Sequence, residues 1–193
     1  EVGAHHNIHK YPAIGDINND GESEIVWLSC GSSSVAGEQF FLNIYKNNGI
    51  LEHQWSQPAS CNYLSLEGNS PVIGDLNRDG AKEIIGIVPT DVTTREIYIW
   101  DNSGDVLTGW PQRLKSKTYG SPALANINED NNLEIIVSDK DYYYAYFLNG
   151  STIWEIYRGD IASDIYSVDV GMTPSIEDIN GDSMPEIIFG NVI

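Results

Sequence analysis

Four stretches of the chain are versions of one sentence: PAIGDINNDGESEIV from Pro12, PVIGDLNRDGAKEII from Pro71, PALANINEDNNLEII from Pro122 and PSIEDINGDSMPEII from Pro174. Each is a short apolar run, an acidic turn and a second apolar run. The four prolines lie 59, 51 and 52 residues apart. A repeat of about 50 residues constrains the fold strongly, because one such unit cannot bury both of its own faces and needs neighbours of the same build to cover them.

Within a unit the periodicity is that of strands. After the first acidic turn come strand candidates at Ile25–Cys30, Phe40–Tyr45 and Ile50–Trp55, with the hairpin signal Asn47-Asn48-Gly49 between the last two. The second unit repeats the plan with Glu83–Val88, Glu96–Trp100, the turn Asn102-Ser103-Gly104 and a segment from Val106 to Leu114. The third has Glu134–Ser138, Tyr142–Leu148, Asn149-Gly150 and Ile153–Tyr157; the fourth stops after Glu186–Phe189. No 3.6-residue apolar period indicates a helix. Four short strands per unit, with a hairpin at a fixed offset, are the signature of a β-propeller blade. The expectation is an all-β chain, with residues 1–193 forming one β-propeller segment of four-stranded antiparallel blades. The units fall at about 12–70, 71–121 and 122–173, with a half blade at 174–193. Tyr45, Trp100 and Phe147, each just before a hairpin turn, are expected in the core between blades.

Charge narrows the function. Asp and Glu number 28 against 10 Lys and Arg, a net charge of −18, which repels nucleic acid and anionic membrane surfaces. A hydrophobic content of 41% is too rich for a disordered acidic tail. No apolar run approaches the roughly 18 residues that span a bilayer. Bound cations would explain the surplus of acid.

The acidic turns have the chemistry for that. The second reads D-x-N-x-D-G-x-x-E, and a tight loop delivers alternate side chains to one centre, as calcium with its six to eight oxygen ligands requires. Its donors would be Asp75, Asn77, Asp79 and Glu83 with the carbonyl of Ala81; those of the first turn would be Asp16, Asn18, Asp20 and Glu24 with the carbonyl of Glu22. The third offers Asn126, Asn128, Asp130 and Glu134 with the carbonyl of Asn132. It lacks the first carboxylate and has Asn131 at the turn glycine, so a weaker site is expected. The fourth offers Asp178, Asn180, Asp182 and Glu186 with the carbonyl of Met184, and Ser183 stands where glycine is expected. An EF-hand would place its bidentate acid at position 12, where this chain has Trp27, Gly86, Val137 and Phe189. An ordinary polar hairpin turn is the plainer alternative for one copy; four copies in register favour up to four calcium ions.

These turns, set between apolar strands, resemble the FG-GAP and VCBS-type calcium-binding propeller repeats of integrin α-subunit heads and many exported bacterial proteins. The name-giving Phe-Gly and Gly-Ala-Pro elements are poorly kept, so the resemblance is to the bacterial VCBS-type pattern. It implies a propeller of seven or eight blades with each ion between a blade's first two strands. Three and a half blades do not close such a ring. Together with the absence of an initiator Met or signal peptide, this suggests a processed or excised segment of a longer propeller, or a ring or filament completed by further copies.

Other residues carry weaker signals. Cys30 and Cys61 would pair in an exported protein, contributing about 2–4 kcal/mol; unpaired buried thiols are the alternative. His5, His6 and His9 could bind a transition metal but lie at a chain end without a definite scaffold. Asp139 with Asp141, or Asp160 with Asp164, could mimic a glycosidase dyad, although solvated loop acids explain them better. Asn149 begins a glycosylation sequon inside a hairpin turn. Tyr142, Tyr143 and Tyr144 alternate along a strand, and one side could stack on a sugar or pack between blades. No Walker loop, G-x-S-x-G elbow or H-E-x-x-H motif occurs.

The expected function is therefore a non-catalytic, calcium-stabilised extracellular or cell-surface module that binds a protein or glycan, or acts as a scaffold in adhesion. A propeller polysaccharide lyase is one alternative, disfavoured by the absence of any paired basic motif. A self-assembling structural protein completed by further copies of itself is the other.

Overall fold

Alternating apolar residues between turn signals give each repeat its own antiparallel sheet. The computed structural model describes residues 7–8, 11–33, 37–58, 69–91, 94–118, 120–128, 130–158 and 172–189. The first sheet contains β1 (Asn7–Ile8), β2 (Ala13–Gly15), β3 (Glu24–Ser33), β4 (Gly37–Tyr45) and β5 (Leu51–Pro58), with β1 and β2 both paired to β3. The second runs β6 (Val72–Gly74), β7 (Glu83–Pro89), β8 (Arg95–Trp100), β9 (Gln112–Arg113). The third runs β10 (Ala123–Ala125), β11 (Glu134–Ser138), β12 (Tyr142–Tyr146), β13 (Thr152–Tyr157); the fourth pairs β14 (Ser175–Glu177) with β15 (Glu186–Ile188). The chain is all-β, as the strand pattern requires, and no described helix is long and apolar enough to cross a membrane.

Register decides which face of each strand meets which neighbour. In the first unit Ala13 pairs with Val26 and Ile14 with Ile25; in the second, Val72 pairs with Ile85 and Ile73 with Ile84. Val26, Leu28, Phe40, Leu42 and Ile44 of the first sheet pack with Ile84, Val88, Tyr98 and Trp100 of the second. On the second sheet's other face, Ile85, Ile87, Ile97 and Ile99 pack with Ile135, Val137, Tyr144 and Tyr146 of the third. These side chains are almost fully excluded from water. Burial of a large aliphatic contributes roughly 1.5–3 kcal/mol, so the two apolar layers dominate the stability of the stack.

The first strands interlock. A Cβ at Gly15 would lie 2.7 Å from Ile73 Cδ1, and one at Gly74 would lie 2.5 Å from Leu124 Cδ1. Each glycine is thus a slot receiving an aliphatic side chain from the next unit. Backbone bonds repeat the same step: Lys82 N–H donates to the Ile17 carbonyl at 2.9 Å, and Leu133 N–H donates to the Leu76 carbonyl at 3.1 Å. In the fourth unit the corresponding residue is Pro185, which has no N–H to give.

Two aromatic expectations change. Trp100 is buried in the core between the first and second sheets. Phe147 is only half-buried; register puts Tyr146, paired with Ile135, where Trp100 pairs with Ile84. Tyr45 does hold that register position, opposite Ile25, but it is half-buried because it lies on the outward face of the first sheet. The segment expected over Val106–Leu114 contributes only the two residues of β9 and a bridge from Val106 to Trp100. Gly109 and Trp110 turn the chain instead, with Trp110 Nε1 donating to the Leu148 carbonyl. Cys30 is buried in the core and disulfide-bonded; Cys61, its expected partner, lies outside the described residues.

The Gly109 corner yields a direct test. With φ of 94° and the Asn149 carbonyl oxygen 2.1 Å from a notional Cβ, Gly109→Ala should destabilise the fold by about 2–4 kcal/mol in urea denaturation. Gly49→Ala, at φ of 82° but with nothing within 4 Å, should lose only about 1 kcal/mol.

Candidate functional site

Each acidic turn joins the first strand of a unit to the second and is folded by its own side chains. The last Glu reaches back across the turn: Glu24, Glu83, Glu134 and Glu186 each use Oε2 to accept from the backbone N–H of Ile17, Leu76, Ile127 and Ile179, at 2.8–3.0 Å. Three of these carboxylates are nearly sealed from water, Glu24 at 3%, Glu83 at 5% and Glu134 at 1% exposure. A hydrogen bond to a buried charge contributes about 1.5–3 kcal/mol, so the Glu is the clasp of the turn.

Inside the clasp the remaining oxygens gather around the backbone. Asn18, Asn77, Asn128 and Asn180 accept through Oδ1 from the N–H two residues on. Asp20, Asp79, Asp130 and Asp182 do the same for Glu22, Ala81, Asn132 and Met184. The first carboxylate caps several N–H groups at once: Asp16 takes those of Asp20 and Gly21, Asp75 those of Asp79 and Gly80, and Asp178 those of Gly181, Asp182 and Ser183. In the third turn Asn126 accepts from Asn128 N–H instead. Gly21 and Gly80 have φ of 91° and 96°; Asn131 and Ser183, in the same place, are also left-handed at 72° and 73°. That conformation costs a residue with a Cβ about 1–2 kcal/mol, with Asn more tolerant than Ser. Asn19 and Arg78 are left-handed too, at 61° and 60°, a second point of strain that the sequence pattern does not reveal.

In each turn the side chains expected as donors fold back on the backbone of that same turn. The donors are hard oxygens throughout, as calcium requires. They are engaged with backbone N–H groups, and among the described residues no group of three or more His, Cys, Asp and Glu side chains is gathered to hold a metal ion. A cation in a turn would share these oxygens with the N–H groups that now hold them.

Neighbouring turns also shape one another's surroundings. A cleft of about 740 Å³ separates the second and third, lined by Asp79, Glu83, Asp130 and Glu134 together with Asp101, Leu107, Phe147 and Asn149. The last four residues are absent from the sequence pattern, since only sheet packing brings them here. Burial pushes the Glu83 carboxyl above the usual range, with Asp79 and Asp75 adding to it and the Leu76 N–H opposing. Burial raises Glu134 likewise, with Asp130 adding to it.

The remaining candidates resolve as structural features or fall outside the described residues. Asp139 is not a solvated loop acid: it is fully buried and accepts from the N–H groups of Ser116, Asp141 and Tyr142 and from the Tyr144 hydroxyl at 2.6 Å. Burial, then this contact, push the Tyr144 hydroxyl well above its ordinary range. Asp141 is bonded to the Ser116 hydroxyl. Tyr143 and Tyr144 are buried, and Tyr142 lies beneath the Lys115 ammonium, 4.7 Å from its ring centre, so packing accounts for the three tyrosines. Asn149 is exposed, its Oδ1 accepting from Ser151 N–H and Oγ. His5, His6, His9, Asp160 and Asp164 lie outside the described residues.

No protein-family model matches the chain, and no curated protein does. Among solved structures the chain is similar to the crystal structure of the V. cholerae biofilm matrix protein Bap1, at 18% identity and a TM-score of 0.32. That likeness covers 77% of this chain and 28% of that one; at this level it carries no argument.

The raised carboxyls predict a pH effect. A carboxyl whose folded pKa exceeds its unfolded value, about 4.3 for Glu, favours folding fully below that value. The contribution is lost as pH rises through the folded pKa. In a chelator, the melting temperature should therefore be higher near pH 5 than at pH 7.5, through Glu83 and Glu134. Glu83→Gln, which keeps an acceptor for Leu76 N–H, should raise the melting temperature in chelator at pH 7.5 and flatten the pH dependence. A lower melting temperature for this variant in chelator would contradict the origin given.

Proposed function

We propose that the chain is a non-catalytic, calcium-stabilised extracellular module built on the β-propeller plan, acting in adhesion, ligand binding or surface scaffolding. The observation that carries this is the fourfold recurrence of one oxygen-lined turn, closed by the same Glu-to-backbone bond, at the same place in each sheet. The resemblance to FG-GAP and VCBS-type repeats supports the same assignment. Calcium would be held by three carboxylates, one amide oxygen and a backbone carbonyl in the first, second and fourth turns, and by two carboxylates in the third. Its role is to neutralise acids that otherwise repel one another and to fix the first two strands of each unit. The disulfide at Cys30 suits an oxidising compartment outside the cytosol.

The lyase alternative is disfavoured by the scarcity of basic residues, 10 Lys and Arg in all. The buried Asp139 is committed to holding a turn, and Lys115 is paired with Glu155.

The test is thermal unfolding with calcium, magnesium or chelator. Ligand at about 100 times its Kd adds about 2.7 kcal/mol per site, and a chain of this size gains roughly 2–4 °C per kcal/mol. Calcium should therefore raise the melting temperature by on the order of 10 °C or more, with magnesium much less effective. Identical transitions in calcium and chelator would refute the assignment. Cleavage of acidic polysaccharides by the pure protein would refute its non-catalytic part.

A further inference from the structure

The interlock between sheets has a giving half and a receiving half, and among the described residues one of each is unfilled. The giving half is seen where Ile73 enters the slot at Gly15 and Leu124 enters that at Gly74. In the first unit the same position is Ile14, which is 64% exposed. Around it lie the residues that in later units form core. Ile25 corresponds in register to the buried Ile84 and Ile135, and Tyr45 to the buried Trp100 and Tyr146. Ile25, Trp27 and Tyr45 are only half-buried. The outward face of the first sheet is thus made of core-type residues that no other described residue covers as the later sheets are covered.

The receiving half is displayed by the fourth unit, but altered. The slot position runs Gly15, Gly74, Ala125 and then Glu177, each paired with the Glu that clasps its turn. Beside it, the position held by Ala13, Val72 and Ala123 is Ser175. Ser175 and Glu177 are exposed, so the outward face of β14 is polar where the others are small and apolar. An aliphatic side chain that enters a glycine slot at under 3 Å from a notional Cβ has no room against a glutamate, and docking would desolvate that carboxylate.

We propose that the outward face of the first sheet is a contact surface for another sheet of this same build, one with Gly or Ala in the slot, and that Glu177 bars the chain's own fourth sheet from that role. The partner is set by continuity with the two interfaces already present between the sheets: it must offer a slot for Ile14 and cover Ile25 and Tyr45. Charged residues that guard an exposed sheet are a known means of preventing open-ended association, and Glu177 is placed to do this. The inference rests on the stacked sheets and not on the proposed calcium role, so failure of either leaves the other standing.

The test is sedimentation equilibrium of the 193-residue chain and its variants over a range of concentrations, with calcium present throughout. Wild type should remain monomeric. Glu177→Gly should associate head to tail, its weight-average mass at least roughly doubling as concentration rises. Glu177→Ala, matching Ala125, should associate as well. Adding Ile14→Glu to either variant should restore the monomer; Ile14 is exposed, so the substitution spares the core. A shared thermal transition among the variants would show that the fold is intact. A monomeric Glu177→Gly and Glu177→Ala, association that survives Ile14→Glu, or wild-type association through Ile14 would each overturn the proposal.

Discussion

One residue in each of the first two turns carries the junction to the next unit. Ile17 donates its N–H to Glu24 within its own turn and accepts at its carbonyl from Lys82 of the next. Leu76 does the same with Glu83 and Leu133. Their side chains are buried, so each backbone group needs a partner inside the protein. The clasping Glu therefore does more than close a hairpin. It fixes the end of the first strand, which aligns that strand with its neighbour and lets an aliphatic side chain meet a glycine. Without the clasp, the order from turn to strand to sheet contact would have no fixed starting point.

The same clasp creates the molecule's main electrostatic problem. Carboxylates are grouped in every turn, and the Glu in three of them is buried beside those acids. Their charge is partly answered by backbone N–H groups, which are dipoles rather than countercharges, and the basic residues are too few to help. The raised carboxyls of Glu83 and Glu134 record the unpaid remainder of that desolvation. A divalent cation in each turn is the simplest complement to such a design, and it would bind where the fold is already held together. In the proposed reading the metal would condition the fold, and recognition would fall to surfaces away from the turns.

Much of this was legible in the sequence because the repeats compare themselves. The strands flanking each turn, the order of oxygen-bearing residues within it and the left-handed positions at Asn131 and Ser183 all follow from aligning four copies. What was not legible depends on contacts between units. A shift of one residue separates Phe147 from Tyr146, and only strand register shows which side chain enters the core. Asp139 reads as one more loop acid until Tyr144 and the Ser116 backbone close over it. The cleft that joins Asp101 and Phe147 to two turns exists only after the sheets pack. Glu177 carries no signal in the sequence pattern, and its position gains meaning only from the slots at Gly15 and Gly74.

The most direct measurement of the central claim is equilibrium dialysis of the chain against labelled calcium, counting ions bound per molecule. The four turns predict saturation near four, with the weakest step assigned to the third turn by its restoration to full strength in Asn126→Asp. Binding that saturates at or below one ion, or that is unchanged when Glu24 and Glu83 are replaced, would contradict it.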